Sequence, residues 1–168
     1  MIYLNLTARL AKRLGVVPES GSESSLSSLG NWIARDIPTS SGDLVLVTNE
    51  KTLLSLVMVP GKTWDIRKDF LARLFNLLMM LEFPQKIVQN ELVGASEIRF
   101  GKAKDRRVLG SMNDAAYYLI DLTDDSNAPK PLSTSSAERE LADRIYGAIG
   151  HERPIKYARR LLKCARDV

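Results

Sequence analysis

The chain has 168 residues, 45% hydrophobic and 26% charged, with a formal net charge of +4. Those totals fit one ordinary globular domain with an appendage, since a folded chain of this size hides about 70% of its unfolded surface without help from cross-links. The single cysteine, Cys164, excludes an intrachain disulfide and leaves no need for an oxidising compartment.

The amino-terminal stretch has no apolar run ahead of its first charge, Arg9, and so does not read as a secretory leader. The most apolar stretch, residues 70–83, is broken by Arg73, Asn76 and Glu82 and is too polar to span a bilayer. A cytoplasmic location without membrane contact is the expectation. The charge is unevenly spread. Residues 1–150 carry 18 basic and 18 acidic side chains, so the whole surplus lies in residues 151–168.

In chain order, residues 2–6 read as a strand and residues 7–14 as a short helix opened by Thr7 and stopped by Gly15. Residues 18–30 are rich in Ser and Gly and read as a loop. Residues 32–37, 44–47 and 53–59 form three apolar runs separated by turn chemistry, which predicts a sequential antiparallel meander. Ile66, Phe70, Leu74, Leu77 and Leu81 then recur at helical spacing, widened by Leu71, Phe75 and Leu78. They predict the main helix over residues 65–81, with a stripe broad enough to allow a homodimer. A second helix starts at Pro84 and ends near Gly94.

Residues 96–100 alternate as a strand, residues 101–107 make a basic turn, and Val108-Leu109 complete a second hairpin. Ser111 and Asp114 are spaced to cap a helix running to residue 122. Residues 123–135 read as a linker, and Ser135 with Glu138 opens a helix to residue 149. After Gly150 and Pro154 a last helix covers residues 155–166. The expected fold is α+β: a small, mostly antiparallel sheet of five or six strands packed by helices, with a carboxyl-terminal helical hairpin. The expected division is an α+β domain over 1–122, a linker over 123–135 and a basic helical tail over 136–168.

The block Ala95-Ser-Glu-Ile-Arg-Phe-Gly-Lys-Ala-Lys-Asp-Arg-Arg-Val-Leu-Gly-Ser-Met-Asn-Asp114, together with Trp32 and the run from Leu44 to Ser55, resembles an uncharacterised bacterial family known only as a domain of unknown function. Its members are short proteins, some encoded on plasmids or mobile elements, and a related block precedes a plasmid-type domain in some longer proteins. The resemblance covers residues 1–122 and is carried most specifically by Gly-Ser-Met-Asn-Asp at 110–114. It implies a shared fold and brings no catalytic residues.

Chemistry is constrained mainly by what is missing. His151 is the only histidine, so no nucleophile–histidine pair or zinc-ligand spacing is suggested, and no cofactor or metal is expected. Pro60-Gly61-Lys62-Thr63 ends like a phosphate loop, but Leu56 stands where the first glycine belongs. Two sets of residues remain. Arg106 and Arg107 beside Asn113 and Asp114 would set a basic turn at a helix amino end, a natural anion site. Equally, they could be only caps and an ion pair with Asp105. Lys156, Arg159, Arg160 and Lys163 fall on one side of the last helix, opposite Ile155, Ala158, Leu161, Leu162 and Ala165. A basic amphipathic helix of this kind suits nucleic acid or an acidic protein, or is simply a docked surface helix. Asn49, Glu50 and Thr52 are explained by turn chemistry. The sequence therefore reads as a non-enzymatic binding or regulatory module for an anionic partner. The alternative is a histidine-independent enzyme or toxin acting on a phosphate-containing substrate near Arg106 and Asp114.

Overall fold

Strand alternation sorts the apolar residues onto two faces of one sheet. The computed structural model describes residues 1–20, 25–124 and 133–164, the side chain of Cys164 excepted. Its strands are β1 (Ile2–Leu6), β2 (Trp32–Ile37), β3 (Leu44–Asn49), β4 (Ser55–Met58) and β5 (Ile98–Lys102). Its helices are α1 (Ala8–Leu14), α2 (Ile66–Met80), α3 (Gln85–Gly94), α4 (Arg106–Asp124), α5 (Thr134–Asp143) and α6 (Pro154–Cys164), with a short 3₁₀ turn at Gly147–Ile149.

The sheet has five strands in the order β4-β3-β2-β1-β5, and it is mixed. β2–β3 and β3–β4 are antiparallel, whereas β1 runs parallel to both β2 and β5. The expectation of a mostly antiparallel sheet is thus corrected. The three-strand meander forms, but parallel neighbours need a crossover. The segment containing α1 supplies it between β1 and β2. The α2–α3 pair carries the chain past β1 to its other side, where β5 pairs.

On the first face, Ile2, Leu4, Leu6, Trp32, Ala34, Val45, Val47, Leu56, Met58, Ile98 and Phe100 pack against Phe70, Leu74 and Leu77 of α2. Leu10 of α1, Val88 of α3, and Ala158 and Leu162 of α6 join the same core. Trp32 and Phe70 meet edge to face at 5.4 Å. α2 is opened by Asp65, whose carboxylate accepts from the amides of Arg67 and Lys68, and the anticipated stripe supplies its buried side. Phe75 is the member of that stripe left exposed, and Met79 beside it is exposed as well.

On the second face, Ile33, Ile37, Leu44, Leu46 and Val57 pack beneath Val108, Met112, Ala115 and Leu119 of α4 and Ala137 and Leu141 of α5. The expected strand at Val108-Leu109 does not form, and Ser111 does not cap. α4 starts five residues earlier, at Arg106, because Asp105 accepts from the amides of Arg107 (2.9 Å) and Val108 (3.2 Å). Ser111 instead returns its hydroxyl to the Arg107 carbonyl at 3.2 Å, inside the helix. The apolar spacing Val108, Met112, Ala115, Leu119 is what carries the helix through Gly110.

α5 is capped by Ser133, which accepts from the Ser136 amide, and not by the Ser135–Glu138 pair. Glu138 lies 1% exposed and takes the Val57 amide (2.9 Å) and the Arg73 guanidinium (2.5 Å), tying α5 to both β4 and α2. The helix expected to reach residue 149 ends at Asp143, where Arg144 turns extended. Of the expected linker, residues 125–132 lie outside the described residues, as do residues 165–166 of the expected last helix. Among the described residues no helix is long and apolar enough to cross a membrane.

Candidate functional site

The uneven cover of the second face sets the site. α4 lies over β2 and β3, and α5 over β4. Tyr3 and Asn5 of β1 and Gly101 of β5 point to the same face, because their registered partners there are Arg99, Gly101 and Ile33. A cleft of about 320 Å³ stands over this part of the sheet, lined by Asn5, Glu19, Ser20, Glu50, Lys102, Lys104 and Asp105.

Each wall has a local cause. Glu50 follows the buried Asn49, whose side-chain oxygen accepts from the amides of Lys51 (3.2 Å) and Thr52 (2.9 Å) and from the Thr52 hydroxyl (2.9 Å). The Asn49 amide nitrogen donates to the carbonyls of Leu29 and Asn31, so the turn is fixed to the neighbouring loop. Turn chemistry thus accounts for Asn49 and Thr52. Glu50 does more, for its carboxylate accepts from Asn5 Nδ2 at 2.7 Å. Burial pushes the Glu50 carboxyl above its ordinary value, the Asn5 hydrogen bond opposes that, Asp105 adds to it and Arg107 draws it down. Glu19 enters by pairing with Phe100 and Gly101 at the sheet margin and accepts the Tyr3 hydroxyl at 3.0 Å. Lys104 donates to the Ser20 carbonyl at 3.1 Å.

Arg107 braces this arrangement from behind. Its guanidinium donates to the carbonyls of Glu50 (2.8 Å) and Ala148 (3.0 Å) and stands 3.6 Å from Asp105. The other residues singled out from the sequence near it do not converge. Arg106, Asn113 and Asp114 are all exposed on α4. Arg106 and Asp114 are separated by roughly 12 Å along the axis at 1.5 Å per residue. Asn113 is taken by Arg35 of β2, whose Nη1 donates to its Oδ1 at 2.5 Å.

The other sequence candidate is the outer side of α6, and there the four cations do share one exposed face. Arg160 forks onto Glu152 at 2.9 and 2.8 Å. Arg159 donates to the Leu81 carbonyl at the end of α2, at 3.2 Å. Lys156 and Lys163 have no carboxylate partner among the described residues. A groove of about 300 Å³ runs beside them, lined by Phe83, Pro84 and Ile87 with Glu82, Arg159 and Lys163 around it. Glu82 holds a left-handed backbone (φ 59°), which lets the amides of Glu82 and Phe83 close the end of α2 onto Met79 and Leu78. Lys156, Arg160, Arg106, Arg107, Asn113 and Asp114 line neither this groove nor the cleft.

Asn5 and Glu50 were missed by sequence reasoning as site residues. The one available signal was Asn5, a polar residue set between Leu4 and Leu6 in an otherwise apolar strand. Among the described residues no cluster of His, Cys, Asp and Glu is arranged to hold a metal ion.

No curated protein and no solved structure matches the chain. A family match covers residues 3–157, reaching past the block recognised in the sequence, through α5 and into α6. The chain therefore belongs to the family described as Domain of unknown function (DUF6933).

Proposed function

We propose that this protein is a non-enzymatic binding module that engages an acidic segment of another protein along α6. The observation that carries this reading is the exposed row Lys156, Arg159, Arg160 and Lys163 beside an apolar-floored groove, in a chain whose other residues are charge-balanced. The row is held in place. Ala158 and Leu162, on the opposite side of α6, are buried in the core shared with α2, so the cations are presented by a docked helix.

The surroundings favour a protein partner over nucleic acid. Phosphate-backbone sites are uniformly basic, because each contact replaces a counterion. Here Glu82 lines the same groove as Arg159 and Lys163, and Glu152 already occupies Arg160. A mixed-sign rim around Phe83, Pro84 and Ile87 suits a peptide that alternates carboxylates with an apolar side chain. The rival reading, catalysis on a phosphate ester by Arg106 and Asp114, requires two groups that α4 holds about two turns apart.

Fluorescence anisotropy with a labelled acidic amphipathic peptide, a DNA duplex and a single-stranded RNA separates the partner classes. The expected order is peptide first, with binding weakened at least tenfold in Lys156→Glu/Lys163→Glu. Preferential binding of either nucleic acid, or peptide binding that the double variant leaves unchanged, contradicts the proposal.

A further inference from the structure

We infer that two copies of this chain pair through the outer face of α4, their helices antiparallel about a twofold axis between Asn113 and Asp114. The inference stands apart from the α6 reading, because it uses none of the same residues.

α4 buries Val108, Met112, Ala115 and Leu119 against the sheet. Helical spacing puts Arg106, Gly110, Asn113, Asp114, Tyr117 and Asp121 on the opposite side, and all six are exposed. Tyr117, 70% exposed, carries the most exposed aromatic ring among the described residues. Nothing in the chain packs on Gly110, where an added Cβ would meet no atom within 4 Å.

The charges of α4 oppose its own dipole. Its first turn holds Arg106 and Arg107 and no acid, and its last turn holds Asp121 and Asp124 and no base. A helix is partly positive at its amino end and partly negative at its carboxyl end, so this placement is unfavourable in a lone helix. Arg107 is engaged by the carbonyls of Glu50 and Ala148, and Asp124 by Ser40. Arg106 and Asp121 have no hydrogen-bond or ion-pair partner among the described residues. An antiparallel neighbour reverses the mismatch. It sets Arg106 at the carboxyl end of the other helix and Asp121 at its amino end.

The spacing makes the face self-complementary. About the twofold axis, Arg106 meets Asp121 of the other copy, Gly110 meets Tyr117, and Asn113 meets Asp114, and each contact is made twice. Gly110, lacking a Cβ, lets the Tyr117 ring lie close to the helix backbone. Asn113 Oδ1 accepts from Arg35, which leaves Nδ2 to donate to Asp114 and brings a positive charge beside the two central carboxylates. A 19-residue helix is about 28 Å long. One such pair makes a small interface, at the weak and transient end of protein contacts.

Sedimentation velocity of the full chain, from micromolar to millimolar concentration, reads the pairing. The mass should rise with concentration from monomer to dimer. Arg106→Asp and Asp121→Arg should each weaken the homodimer at least tenfold, because each sets like charges face to face. An equimolar mixture of the two variants should pair at least tenfold more tightly than either alone, since each altered charge then meets its opposite. Gly110→Gln should abolish pairing while raising the melting temperature of the dilute monomer, which separates loss of pairing from loss of fold. A chain that stays monomeric throughout, a dimer indifferent to the two charge reversals, or a mixture no tighter than the single variants would each overturn the inference. A dimer disrupted by Phe75→Asp and not by the α4 variants would place the contact on α2 and overturn it as well.

Discussion

Glu50 is where the local chemistry departs furthest from an ordinary turn. Its carboxyl is raised by burial and by Asp105, so the folded state holds that proton more tightly than the unfolded chain does. The stability from this group is complete below the unfolded value and is lost as pH rises through the raised folded value. Glu50→Gln is neutral at every pH and keeps the acceptor for Asn5. Its stability relative to the unsubstituted protein should therefore grow from pH 4 to pH 7, as denaturant unfolding at the two pH values would measure. A difference that shrinks over that range contradicts the burial argument. Asn5 was readable as a strand residue facing away from Leu4 and Leu6. That its face is left without a helix was not readable, because it follows from which strands become neighbours. Glu50 carried no periodic signal at all. Its role depends on a register between β1, β2 and β3 that brings residue 50 above residue 5.

At the scale of elements, α2 was legible from its apolar spacing, and β2 and β3 from their apolar runs. α4 was legible only in its second half. Asp105 was taken for part of a turn, and Val108-Leu109 for the end of a hairpin strand. The helix runs through Gly110 because four apolar residues on one side are buried against the second face, outweighing a propensity cost of about 1 kcal/mol. A Cβ at Gly110 would meet nothing within 4 Å. Gly110→Ala should therefore stabilise the protein by about 0.5–1 kcal/mol, seen as a higher denaturant midpoint with an unchanged slope. A loss of stability would mean that glycine is needed there for a reason other than helix geometry. α6 was legible as an amphipathic helix, and its buried Ala158 and Leu162 lie on the side its pattern assigned to the apolar residues.

Across the whole molecule, the mixed sheet is the feature that local sequence could not supply. Three consecutive strands invite a meander, and nothing in β1 or β5 announces that each will pair in parallel after a crossover. The same long-range assembly joins residues 134–162 to the rest. Ala137 and Leu141 complete one core, Ala158 and Leu162 the other, and Glu138 bridges Arg73 and the Val57 amide between them. Removing that carboxylate strands a half-buried guanidinium and a strand amide together. Glu138→Ala should cost about 3 kcal/mol, lowering the melting temperature in one cooperative transition. A second, separate transition would show that α5 and α6 melt independently of the sheet.

The outward cations of α6 are the centre of the functional account, and salt is the most direct probe of them. With the acidic amphipathic peptide as ligand, affinity should fall steeply as ionic strength rises, because exposed charge pairs are screened within about 8–10 Å at physiological salt. Lys156→Glu/Lys163→Glu should flatten that dependence along with weakening the complex. Affinity that ignores salt, or a dependence that survives the double charge reversal, would contradict the account.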